Sequence, residues 1–166
     1  MTESTESMNQ AYLLTGGNEG NRLSHLLQAI TNIEKYCGEI TVRSSLYESA
    51  AWGKTDQPDF LNQTLLLQTR LTAQNLMRTI LDIEKKMGRK RVRQYGPRTI
   101  DIDILFFNDE IIDEPSLIIP HPQIQNRRFT LVPMNEIAPG LIHPVLHKSI
   151  HRLLQECADP LDVKKI

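Results

Sequence analysis

Two aspartates, Asp101 and Asp103, stand one residue apart in "GPRTIDIDILFF", inside an apolar run from Ile100 to Phe107 with the composition of a buried strand. Alternation along such a strand predicts Asp101, Asp103, Leu105 and Phe107 on one face and Ile100, Ile102, Ile104 and Phe106 on the other. Two carboxylates about 6 Å apart repel by roughly 3 kcal/mol at an effective dielectric near 20. A cation beside them offsets that repulsion, and magnesium suits the pair because it takes oxygen ligands and is held by one or two carboxylates together with substrate phosphates. An isolated Asp-x-Asp is more often a wet strand face; here the surroundings reverse that. Five of the eleven residues from Gly88 to Arg98 are basic: Arg89, Lys90, Arg91, Arg93 and Arg98. Cation-binding carboxylates next to phosphate-binding cations are what a metal–nucleotide site requires. Gly88, Gly96 and Pro97 bracket the basic run, which predicts a loop that closes over a polyanion.

The elements that must position these groups follow from periodicity. "AYLLT" reads as a strand ending at Gly16, Gly17 and Asn18, residue types that tolerate positive φ. Leu23, Leu26, Leu27, Ile30 and Ile33 recur at helical spacing, with Gly38 just past the helix end. "EITVRSSLYES" and Leu61–Thr69 read as two further strands, separated by a long loop, and a second helix from Thr72 carries Leu76, Met77, Ile80, Ile83 and Met87 up to Gly88. With the strand from Ile100, the order is βαββαβ. This predicts an α+β, ferredoxin-like core, an antiparallel sheet with helices packed on it, plus a proline-rich C-terminal extension with a helix around Ser149–Cys157. Residues 1–8 read as a disordered tail and 9–166 as a single domain.

The net charge of −1 argues against binding nucleic acid through bulk charge, and no apolar run approaches the roughly 20 residues that span a bilayer. Two cysteines without paired spacing, Cys37 and Cys157, and no apolar leader predict a reducing, cytoplasmic setting.

"GPRTIDIDIL", "DQPDFLN" and "PHPQIQNRRF" together resemble the 6-hydroxymethyl-7,8-dihydropterin pyrophosphokinases, also called 2-amino-4-hydroxy-6-hydroxymethyldihydropteridine diphosphokinases, from about Ala11 to Cys157. The resemblance implies transfer of diphosphate from ATP to the hydroxymethyl group of the reduced pterin, leaving AMP, in folate biosynthesis. It implies two Mg2+ ions on Asp101 and Asp103, and Arg89 and Arg98 as transition-state stabilisers, since a guanidinium can bind two phosphate oxygens at once. Glu84, Arg89, Arg91, Arg98, His121 and Arg127 resemble the ATP contacts. Asn62, with Phe60 and Phe129 stacking on the two ring faces, and the stretch Ser49, Ala50 and Trp52 resemble the pterin contacts. Leu81, Gln94 and Tyr95 depart from the family pattern, which bears on individual loop contacts. ATP and the pterin are the expected partners of a monomer, with no nucleic acid and no membrane.

Other motifs yield less. Gly53-Lys54-Thr55 ends like a phosphate-binding loop, but Glu48 stands where its first glycine belongs. His143, His147 and His151 are spaced by four, yet Pro144 interrupts a helix there, so they read as surface or capping histidines. Two alternatives remain from the residues alone: another Mg-dependent nucleotidyl or phosphoryl transferase, or a ferredoxin-like RNA-binding module, against which acids on the sheet argue.

Overall fold

The protein is described by a computed structural model over residues 8–51, 56–88 and 99–166. The expected tail before Met8, and Trp52, Gly53, Lys54, Thr55, Arg89, Arg91, Arg98, Gln94 and Tyr95, lie outside the described residues.

Strand β1 (Asn9–Gly17) runs through the middle of an antiparallel sheet, between β5 (Asp101–Phe107) and β4 (Phe60–Thr69). Strands β2 (Gly38–Arg43) and β3 (Tyr47–Ser49) both pair with β4, at its opposite ends. The run expected as one strand, "EITVRSSLYES", is thus two. At the break, Ser44 substitutes for a ladder: its N–H donates to Thr64 O, its Oγ accepts from Thr64 N and its carbonyl accepts from Gln63 Nε2. Helices α1 (Arg22–Tyr36) and α2 (Ala73–Lys86) cover one face, started by the side chains of Asn21 and Thr72, which accept from Ser24 N and Asn75 N. This is the ferredoxin-like βαββαβ core.

The extension covers the other face. A hairpin of β6 (Ile112–Glu114) and β7 (Leu117–Ile119) leads through a short 3-10 turn to α3 (Arg128–Ile137) and α4 (Ile150–Glu156), and β8 (Val163–Lys165) adds an edge strand beside β3. Leu131, Met134, Ile150 and Leu153 from α3 and α4 pack with Leu14, Leu105 and Phe106, so β1 is buried on both faces. Helix α4 is the one expected, capped by Ser149; α3, which contains Pro133, is not foreseen by a proline-rich sequence.

Three expectations are corrected. Phe106 and Phe107 exchange faces, Phe106 joining α3 and α4 and Phe107 joining the α1–α2 core. The cause is a bulge: Tyr12 pairs with Phe106 but Leu13 with Ile104, leaving Leu105 as the extra residue that breaks alternation. On α1, Leu26, Ala29, Ile30 and Ile33 are buried, whereas Leu23 and Leu27 are 46% and 51% exposed. Gly16, Gly17 and Asn18 do not adopt positive φ; the glycine at 16 serves close approach instead.

Candidate active site

Pairing aligns the groups of interest in one row. Asp101 faces Gly16, Gly16 faces Asn62 on its other side, and Asn62 faces Tyr47, so these four positions cross β5, β1, β4 and β3 in line. Directly opposed residues project to the same side of a sheet, here the side covered further along by α3 and α4. Asp103, Leu14 and Thr64 form the next row on that side. Both aspartates are half-buried. Gly16 lets the Asn62 side chain lie over it, and a Cβ on Gly16 would collide with Asn62 Oδ1.

Three of the residues expected at the pterin, Ser49, Phe60 and Asn62, come together where β3 pairs with β4. Asn62 is 4% exposed, and its Nδ2 donates to Ser49 Oγ at 3.3 Å. Ser49 pairs with Phe60, which is half-buried, and Ala50 follows in the open. Phe129, on the first turn of α3, is half-buried with the Arg127 guanidinium 5.5 Å from its ring centroid. At the Asp101 end, the His121 N–H donates to Leu105 O, fastening the segment after β7 to β5. His121 Nδ1 accepts from Gln123 N, so a neutral ring carries its proton on Nε2. Burial and the Arg127 charge push His121 down to about 4, against an upward pull from Asp101. His121, Arg127 and Asp101 therefore share one electrostatic neighbourhood.

The family model for 7,8-dihydro-6-hydroxymethylpterin-pyrophosphokinase (HPPK) matches residues 12–139. The chain belongs to this family. Two relatives named 2-amino-4-hydroxy-6-hydroxymethyldihydropteridine pyrophosphokinase are similar over most of its length. That of Aquifex aeolicus is 42% identical over 149 residues, 90% of this chain and 92% of that protein. That of Synechocystis is 39% identical over 156 residues, 93% of this chain and 80% of that protein. A solved Plasmodium falciparum HPPK-DHPS triple mutant matches 92% of this chain with a TM-score of 0.74 at 23% identity, a likeness of fold; the chain spans 45% of that solved chain.

Within this pyrophosphokinase, Glu84 lies on the buried stripe of α2. It is 3% exposed, on the α1–α2 side, and accepts the Ile102 N–H at 2.8 Å. Sequence reading also misses the turn after β1 as a holder of the segment before β4. Buried Asn18 donates from Nδ2 to Pro58 O at 3.0 Å and Gln57 Oε1 at 3.2 Å, while Arg22 donates to Asp59 O and pairs with Glu48. The partners in residues 57–59 lie about forty residues away in the chain, and no local signal announces them.

Missed too is the anchor of β3. Tyr47 donates to Glu136 Oε1 at 2.6 Å, and Glu136 also accepts from Ser45 N and Oγ. The histidine series is surface or capping, as expected: His147 and His151 are exposed, and buried His143 caps through Nδ1, which accepts from Val145 N and Leu146 N. Among the described residues no group of three or more His, Cys, Asp or Glu could hold a metal, and no helix is long and apolar enough to cross a membrane. Two half-buried carboxylates on one face fit a Mg2+ whose remaining ligands are phosphate and water.

Proposed function

We propose that diphosphoryl transfer takes place along the Asp101–Gly16–Asn62 row, with ATP phosphates at the aspartate end and the pterin at the asparagine end. The chain is a pyrophosphokinase of folate biosynthesis, a transferase with ATP as co-substrate. The hydroxymethyl oxygen bonds to the β-phosphorus as the bond from that phosphorus to the oxygen bridging the α-phosphate breaks; AMP leaves, and the hydroxyl proton is lost. The observation that carries the reading is the row itself: the Asp101 carboxylate and the buried Asn62 amide, which lies over Gly16 between their strands, face the same side of the sheet.

Asn62 offers both a donor and an acceptor to a pterin edge, Phe60 and Phe129 offer ring faces, and Ser49, Ala50 and Trp52 offer edge groups. Asp101 and Asp103 would hold two Mg2+, which when bound neutralise phosphate charge around the β-phosphorus. Neutral His121 is a donor for phosphate oxygen through Nε2, and Arg127 supplies fixed positive charge. Arg89, Arg91 and Arg98 complete the phosphate contacts in this reading, with Arg89 and Arg98 stabilising the charge that develops during transfer. Residues 9–166 act as one domain, working as a cytoplasmic monomer without nucleic acid.

The test is chromatographic. Wild-type protein with ATP, Mg2+ and 6-hydroxymethyl-7,8-dihydropterin yields AMP and pterin diphosphate, and omitting the pterin stops AMP formation. Asp101→Asn and Asp103→Asn each lower turnover on the order of a thousandfold, the scale of losing a group that stabilises transition-state charge. Near-normal turnover in either variant refutes the metal assignment. Release of pyrophosphate with a nucleotidyl adduct would instead identify attack at the α-phosphorus.

A further inference from the structure

Glu84 is a charged side chain in an apolar environment, close to Ile80 and Ile83 on the buried stripe of α2. Burying a carboxylate is unfavourable unless hydrogen bonds or charges compensate. One compensation is a short bond, 2.8 Å from Glu84 Oε2 to the Ile102 amide, in the charge-assisted range. Ile102 is the residue between Asp101 and Asp103.

The position on the strand gives that bond its meaning. In an antiparallel pair, successive residues turn their amides alternately toward and away from the neighbour. With the Ile102 amide directed to Glu84, those of Asp101 and Asp103 turn toward β1, where Gly16 and Leu14 oppose them. Strand β5 is the edge of the sheet, and no further strand pairs with its outer side among the described residues. Glu84 therefore occupies the place of a missing strand neighbour at the one residue whose φ and ψ set the relation between the two carboxylates. Asp101 is also the first residue of β5, where a strand end with an open edge would otherwise fray.

We propose that Glu84 is a positioning residue: by accepting the Ile102 amide it fixes the spacing and pitch of Asp101 and Asp103, acting through its reach as an acceptor and not through charge on the nucleotide. The proposal rests on the reading of the two aspartates as metal ligands.

Two substitutions separate reach from charge. Glu84→Gln keeps an acceptor oxygen at the same distance and removes the charge; Glu84→Asp keeps the charge and withdraws the carboxylate by one methylene. Mn2+ binding in the presence of a nonhydrolysable ATP analogue is followed by electron paramagnetic resonance, and Ile102 amide exchange is followed by NMR in the free protein. Thermal melts select variants that remain folded. Glu84→Asp is expected to weaken Mn2+ binding about ten- to hundredfold, the usual scale for losing support behind a ligand, and to speed Ile102 exchange, while Glu84→Gln restores most of both. The reverse order, with Asp retaining Mn2+ affinity and Gln losing it, overturns the proposal. Asp101→Asn distinguishes the two layers. If it leaves Mn2+ affinity unchanged, the ligand reading fails and the positioning role falls with it. If it weakens Mn2+ while Glu84→Asp does not, the ligands stand and the positioning role is overturned.

Discussion

Gly16→Ala is the smallest change that tests the row. The added methyl would occupy the place of Asn62 Oδ1, with Asn62 Cγ 3.3 Å and the Leu61 carbonyl oxygen 3.4 Å away. Gly16 has no positive φ, so the backbone accepts alanine and the strain falls on the Asn62 side chain. Rotating that amide away breaks its bond to Ser49 Oγ, between groups that are both buried. An orphaned buried polar group costs about 1–3 kcal/mol, while alanine in place of glycine returns about 0.4–1 kcal/mol by restricting the unfolded chain. The net is a destabilisation of about 1–2 kcal/mol, or a fall in Tm of roughly 5 °C for a chain of this size. If Asn62 reads the pterin edge, its displacement also removes site hydrogen bonds, raising KM for the pterin about ten- to hundredfold, with KM for ATP little changed.

The assay is AMP formation with each substrate varied in turn, beside calorimetric melts. Gly140→Ala serves as the control, because a Cβ there meets nothing within 4 Å and its φ is not positive. Asn62→Ala in the Gly16→Ala background removes the atom with which the methyl collides, so the double variant should be less destabilised than the sum of the singles. If Gly16→Ala matches Gly140→Ala in Tm and in both KM values, the packing of Asn62 over Gly16 is irrelevant to the site and the row argument fails.

Three further outcomes follow from the surrounding groups. Tyr47→Phe should lose about 1.5–3 kcal/mol in denaturant unfolding, since its hydroxyl bonds a carboxylate; burial, then that hydrogen bond and the Glu136 charge, push the phenol up to about 12, so the loss should be constant from pH 6 to 9. Burial raises Glu136, but bonds from Tyr47 and from the Ser45 amide and hydroxyl, with the Lys165 charge, outweigh it and leave its pKa lowered. As pH falls below about 4.5 the unfolded chain takes the proton first, so this stabilisation is present above that value and is lost on acidification; Glu136→Gln should flatten the acid limb of stability against pH. His121 should titrate at about 4 by NMR, and because its ordinary value is 6.5, the stability from its neutral ring is full above 6.5 and declines as pH falls toward 4. Asp101→Asn should lower that titration further and Arg127→Gln should raise it; a midpoint near 6.5 in the wild type would contradict the half-buried placement of the ring beside Arg127.

What could be read from the sequence is what depends on neighbours in the chain. The βαββαβ order follows from periodicity, because α2 carries its apolar residues at helical spacing and Thr72 caps it locally. The Asp-x-Asp face could be read because strand alternation holds from Asp101 to Ile104. It fails at the next residue, where Leu105 bulges against Tyr12 and Leu13, a partner about ninety residues upstream that no window around Leu105 contains. Helix α3 was hidden by Pro133, since the covering of Leu14 and Phe106 by Leu131 and Met134 outweighs propensity there.

The same division runs through the site. Residue types identify groups able to bind phosphate, metal or pterin, but the positions of those groups depend on Asn18 reaching Pro58, Tyr47 reaching Glu136 and Glu84 reaching Ile102. Each of these joins a polar side chain to an element distant in sequence, and each bears on a strand or loop that carries a proposed ligand contact. For the carboxylate on α2 the family resemblance implies a nucleotide contact; at the edge of β5, the same carboxylate accepts from an amide that no strand among the described residues pairs with. The two roles differ in what they demand of the side chain, charge in one and reach in the other. Their separation therefore depends on tertiary geometry and not on residue identity.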